Sequence, residues 1–289
     1  MVSASALHGG APVSIGGDAG LLTAGNTTST VYFFDAVTGG WSILAPLPVS
    51  PMAPSVAPVT VGGIAGVMVA GGLDSGYLTT VSVYDPGANT WSTLAPLNTA
   101  RYGAASAPVT IAGIAGVLIA GGYGGSYLGS AEFYDPIANS WTPLAPLNTA
   151  RMGGFGAPVT VGGVAGMLVV GGSTCSGGCW LSSAEFFDPV AGSWSYVASM
   201  PAQRYLPMGG PITIGGVPGV LIAGGFAGSV YANAYFYDGA ANSWSTLPSM
   251  LNPREAAASG PVTIGPSTGV LIAGGYDSGS LTLSEFYCP

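Results

Sequence analysis

Four arginines are the only strong cations in the chain, and they recur at one position of a repeating pattern: Arg101, Arg151, Arg204 and Arg254. A guanidinium offers a planar fork of donors suited to a carboxylate or a phosphate. Four at corresponding positions therefore read either as a ligand-gripping set or as copies of one internal ion pair. Glu132, Glu185 and Glu285 occupy a second recurring position, with Tyr235 in the remaining copy. That correspondence favours Arg–Glu pairing over ligand binding. Other chemistry is thin. Asp35, Asp85, Asp135, Asp188 and Asp238 repeat with a turn and read as turn caps. Gly265-Pro-Ser-Thr-Gly269 matches the nucleophile-elbow pattern but sits where other copies have a hairpin turn, with no strand-to-helix context. Cys175 and Cys179, four apart in the longest variable loop, are expected to form a local disulfide in an oxidising compartment, and Cys288 reads as a lone thiol. Three Cys and His8 do not readily assemble a zinc site. With no acid–base constellation apart from the repeat, the sequence predicts no catalytic residue, no metal and no cofactor.

Composition narrows the partners. The 289 residues include 49 Gly and 23 Pro, no Lys, and 6% charged residues, for a net charge of −8. Four isolated arginines make no basic patch, which excludes nucleic acid. Mean hydropathy is +0.53, yet apolar runs such as Val117–Ala120 are cut by Gly within a few residues, far short of the ~20 a spanning helix needs. Those short runs read as strands buried on both faces rather than as the alternating strands of a membrane barrel. The opening MVSASALHGG has no charged or long apolar stretch of a signal peptide. The Cys pair and the lack of Lys lean towards an extracellular setting.

The arginines belong to a repeat. PVTVGGIAGVMVAGG (58–72) returns as PVTIAGIAGVLIAGG (108–122), PVTVGGVAGMLVVGG (158–172), PITIGGVPGVLIAGG (211–225) and PVTIGPSTGVLIAGG (261–275), and is preceded by PVSIGGDAGLLTAGN (12–26). Each unit but the last is followed by an aromatic–Asp turn with Trp six residues beyond the Asp, as in FYDPIANSW (133–141). A β-branched strand, a Gly turn, an apolar strand, a variable loop, an aromatic strand, an Asp-Pro turn and a Trp strand make four antiparallel strands. Residues 1–289 are read as one all-β domain, a six-bladed β-propeller with repeats at about 1–50, 51–100, 101–150, 151–203, 204–253 and 254–289.

The Gly pairs, the aromatic–Asp turn and the fixed Trp make the chain resemble the kelch-repeat family over essentially its whole length. The resemblance implies one blade per repeat, second strands near the axis, Trp packed between blades, and partner binding on the face carrying the interblade and second-to-third-strand loops. That face would include Arg101, Tyr123, Tyr127, Arg151, Trp180, Arg204, Tyr231, Arg254, Tyr276 and Asp277. Some kelch-like propellers are copper oxidases, but those need two His where this chain has His8 alone.

Blade one departs from the pattern at Gly25-Asn26, and blade six stops at FYCP (286–289), before its Trp strand. Aligning Ala11-Pro12 with Ala107-Pro108 sets Met1 level with Leu97, past the Trp strand, so the N-terminus is not expected to supply the missing one. Blade six should then have three strands and an open edge, a template for self-association unless residues 1–8 cover it. The leading expectation is a non-catalytic propeller that presents its loop-rich face to a protein or a surface ligand. The alternatives are a lectin-like glycan module, with Trp180 or Tyr127 as sugar platforms, and a structural subunit of an extracellular or viral assembly.

Overall fold

The structure is a computed structural model describing residues 9–25 and 28–289. His8, the stretch 1–8 proposed as an edge cover, and Asn26 lie outside the described residues. Six antiparallel sheets, each in simple sequence order, surround one axis. Five have four strands and the last has three: Ala258–Ile264, Ser267–Ala273 and Ser284–Tyr287. No helix is present among the described residues.

The first strand of each blade lies innermost, where the first strands of neighbouring blades meet. This corrects the expectation that second strands approach the axis. Proline decides the matter: Pro12, Pro58, Pro108, Pro158, Pro211 and Pro261 each fall inside a first strand. A residue without an N–H is tolerated on a sheet edge and not in its middle. The second strand is the buried one. Val117, Leu118, Ile119 and Ala120 are all at most 1% exposed, sandwiched by the adjoining blades. Gly116 precedes them because a Cβ there would collide with the Tyr134 carbonyl of the third strand.

Blades are joined by three devices. The first is apolar: each core cluster mixes two blades, as where Ala107 and Leu118 meet Met167, Phe187 and Trp194. The second uses the Trp strand, as the resemblance implied. Trp141 packs on Tyr134 with ring centroids 5.2 Å apart and donates its Nε1–H to Ala95 O of the preceding blade at 2.9 Å. Asn139, at φ 47°, accepts from both Tyr134 Oη and Ala95 N. Tyr–Asn recurs as Tyr84–Asn89 and Tyr237–Asn242, while blades with Phe34 or Phe187, lacking the hydroxyl, carry Gly39 or Gly192 at the Asn position.

The third device is main chain only. Gly103 N donates to Ala53 O, Gly153 N to Gly103 O, Leu206 N to Gly153 O and Ala256 N to Leu206 O, at 2.8–3.1 Å. This belt runs blade to blade around the axis. Every member has a left-handed backbone, with φ between 49° and 65°, including the non-glycines Ala53, Leu206 and Ala256. Blade one and blade six pack directly, through Leu21, Phe34 and Trp41 against Val262, Leu271 and Phe286. That contact joins the last blade to the first without a shared strand.

Candidate binding face

The four arginines sit beneath the loop-bearing face, not on it. All are at most 1% exposed. Arg101 donates from Nη1 to Gly121 O (2.7 Å) and Ser130 O (2.9 Å), and from Nη2 to Glu132 Oε1 (2.9 Å). Glu132 also accepts from Asn98 N, Asn98 Nδ2 and Thr99 N. One ion pair thus ties the interblade loop to both ends of the second-to-third-strand loop. Arg151–Glu185 (2.6 Å) repeats the arrangement in blade four, and Arg254–Glu285 does so in blade six. Burial lowers the Arg101 and Arg151 pKa, and the partner carboxylate opposes that shift. As members of a partner-contacting surface, Arg101, Arg151, Arg204 and Arg254 are therefore withdrawn: the groups they serve are internal carbonyls and carboxylates.

Arg204 differs. With Tyr235 in place of the acid, its guanidinium lies 4.8 Å from the Tyr235 ring centroid and 5.4 Å from that of Tyr231. Its hydrogen bonds go to Gly224 O, Asn233 O and Asn233 Oδ1, and Nε has no partner among the described residues. Burial lowers its pKa, and the two tyrosines oppose the shift. Two aromatic faces stand in for a carboxylate. Tyr231 accordingly serves the scaffold beneath the loops.

The remaining candidates do reach the loop-bearing face. Tyr123 meets Tyr127 edge-on at 5.2 Å, and a second pair, Tyr77 and Tyr102, stacks within 4° of parallel at 5.9 Å, with Tyr123 edge-on to both. Trp180 packs edge-on against Phe226 of the next blade at 5.5 Å. Cys175 and Cys179 form the expected disulfide in the Trp180 loop, and Cys288 is an exposed free thiol. Tyr276 is 40% exposed beside Asp277.

Comparison with known proteins agrees with this geometry. The kelch motif family matches residues 59–98, 117–148 and 159–201. Three of the six repeats thus match the kelch motif. The solved structure of YjhT is similar in fold at 15% sequence identity, with a TM-score of 0.75 over 98% of this chain and 95% of that one. No curated protein matches by sequence.

In this propeller the axial channel is pinched by the prolines of the first strands. The chamber on the loop side, about 310 Å³, is lined by Gly, Ala, Ser, Val and Pro with Phe155 and Leu206. The chamber on the hairpin side, about 1040 Å³, carries Thr60, Thr110, Thr160 and Thr213. No ionisable side chain among the described residues lines either one. Sequence reasoning missed Met52, Tyr102, Met152, Tyr205 and Glu255, each one position before a belt residue that lines the loop-side chamber. The signal was available, since the residue following each arginine varies while the arginine does not.

Proposed function

We propose that this propeller is a non-catalytic binding module that presents its loop-bearing face to a partner protein. The observation that carries the reading is a division of labour along the chain. Arginine and its carboxylates are consumed by the scaffold, while the tyrosines and Trp180, which differ from blade to blade, are left on the loops. Kelch propellers generally mediate binding, and variable loops on a rigid frame suit that role. The Cys175–Cys179 bond fits an oxidising, extracellular compartment.

The test is a peptide and glycan array probed with the wild-type chain, with Tyr127→Ala/Trp180→Ala, and with Ile137→Ser/Val190→Ser at the exposed Asp-turn positions. Loss confined to the loop variant supports the reading. Loss confined to the turn variant, or turnover of any ligand that binds, refutes it. Glycan hits in place of peptide hits would select the lectin-like alternative. A second reading, self-association, is favoured by one observation: among the described residues Ser284–Tyr287 has no fourth strand beside it, and Glu285 is 16% exposed where Glu132 and Glu185 are at most 2%. Concentration-dependent mass by light scattering tests it.

A further inference from the structure

The rim of the loop-side chamber combines aromatic rings with one carboxylate. Tyr205 lies across Gly153 of the preceding blade, where a Cβ would collide with its ring, and Met152 likewise reaches over Gly103. Tyr205 and Met152 therefore each lie over the belt glycine of the preceding blade. The belt bonds Gly153 N–Gly103 O, Leu206 N–Gly153 O and Ala256 N–Leu206 O set Tyr102, Tyr205 and Glu255 along one arc, each next to a residue that lines the loop-side chamber. The Glu255 carboxylate is half-buried and meets no hydrogen-bond or ion-pair partner among the described residues. Burial alone pushes its carboxyl up, with no donor or cation to oppose the shift. Glu132, Glu185 and Glu285 each hold an arginine and backbone donors; Glu255 holds neither.

Among the described residues no cation is free to pair with this carboxylate. Lysine is absent, and all four arginines are sealed beneath the loops. The charge that reaches solvent on the described loop face is acidic, at exposed Asp74 and half-buried Asp277. A metal ion is a poor match, because one carboxylate among tyrosines is not a ligand set, and no metal-holding cluster occurs among the described residues. Aromatic faces beside a desolvated carboxylate favour an organic cation, which gains from ring quadrupole and charge together.

We propose that the loop-side mouth of the channel is a cation site, taking the guanidinium or ammonium of an arginine or lysine side chain on a partner polypeptide, between Tyr102 and Tyr205 and against Glu255. A polypeptide is the favoured source because the tyrosine surface continues outward from Tyr102 to Tyr77, Tyr123 and Tyr127, giving the flanking residues a place to lie. This inference rests on the loop-face reading and names the chemistry of its partner.

Hexa-arginine amide, hexa-citrulline amide and tetramethylammonium are titrated calorimetrically into the full chain at near-physiological salt. The variants are Glu255→Gln, Tyr205→Leu and, as a remote acid, Asp135→Asn, with circular dichroism confirming each fold. The expected result is that hexa-arginine binds and hexa-citrulline binds at least about tenfold more weakly. Glu255→Gln should cost about tenfold or more, the scale of a charge-assisted contact, and Tyr205→Leu severalfold, while Asp135→Asn changes little. Equal losses at Glu255 and Asp135 would mean general attraction to an acidic protein and would overturn the site. Tetramethylammonium binding as tightly as hexa-arginine would overturn the polypeptide source. If binding ignores Glu255 but falls with Tyr127→Ala/Trp180→Ala, the cation site is wrong and the loop face stands. If none of these variants matters, both readings fail.

Discussion

Arg101 and Arg204 form a matched pair within one molecule, and replacing each by Met isolates the worth of a buried carboxylate partner. Both guanidiniums are at most 1% exposed, and both satisfy two carbonyls of the same loop: Gly121 and Ser130 for Arg101, Gly224 and Asn233 for Arg204. Those losses cancel in the comparison. Arg101→Met also strands Glu132, 2% exposed, as a buried anion. Removing one partner of such a pair costs about 3–5 kcal/mol, against at most about 1 kcal/mol for a surface pair. Arg204→Met strands no charge and gives up a cation–π contact of about 2 kcal/mol. Arg101→Met should therefore be the more damaging by about 2 kcal/mol, a further fall in Tm of roughly 4 °C or more. Urea unfolding followed by tryptophan fluorescence measures both. Equal losses would refute the reasoning, because they would show that the shared carbonyl bonds, and not the ion pair, hold the loops down.

The same geometry fixes further outcomes. Glu255, with its carboxyl raised above 4.5, takes up a proton on folding, so stability falls as pH rises through the window above 4.5. Glu255→Gln should raise Tm at neutral pH, and the gain should vanish by about pH 3.5; a variant destabilised at neutral pH would contradict this. The Glu285 carboxyl behaves oppositely: burial pushes it up, but Leu251, Asn252 and Arg254 outweigh that and hold it low, so its contribution is lost as pH falls below the ordinary carboxylate range. Glu285→Gln should accordingly cost stability at pH 7 and little in acid, read by the same melts. Trypsin should leave the native chain intact and cut at all four arginines once it unfolds, since each is sealed; native cleavage detected by mass spectrometry would contradict the burial. Replacing Cys175 and Cys179 by Ser releases a short loop and should cost no more than about 2 kcal/mol in urea unfolding.

The repeat made most of the fold legible. Trp at a fixed offset gave the fourth strand and its packing between blades, and the missing Trp gave the three-stranded last blade. The Arg–Glu correspondence gave an ion pair before any contact was known, and its one exception, Tyr235, marked the blade where aromatic faces take over. The order of strands from the axis was also written in the chain, by a proline in every first strand, but the family resemblance pointed the other way. The candidate binding face was less legible. Trp180 and Tyr123 announced themselves by position, whereas Tyr77 and Tyr102 come from different blades and stack only because the ring sets their loops side by side. The belt left almost no trace, because Ala53, Leu206 and Ala256 adopt a left-handed backbone that their residue types do not signal.

That belt also bears on how such a ring could change over generations. Its bonds use only backbone atoms, so a copied unit would arrive with its clasp already built, whatever side chains it carried. The rim residues stand one position away and contribute nothing to the clasp. Mutation can therefore reshape the mouth while the joints between units are inherited intact, and surface chemistry and closure become separately heritable traits of one short segment.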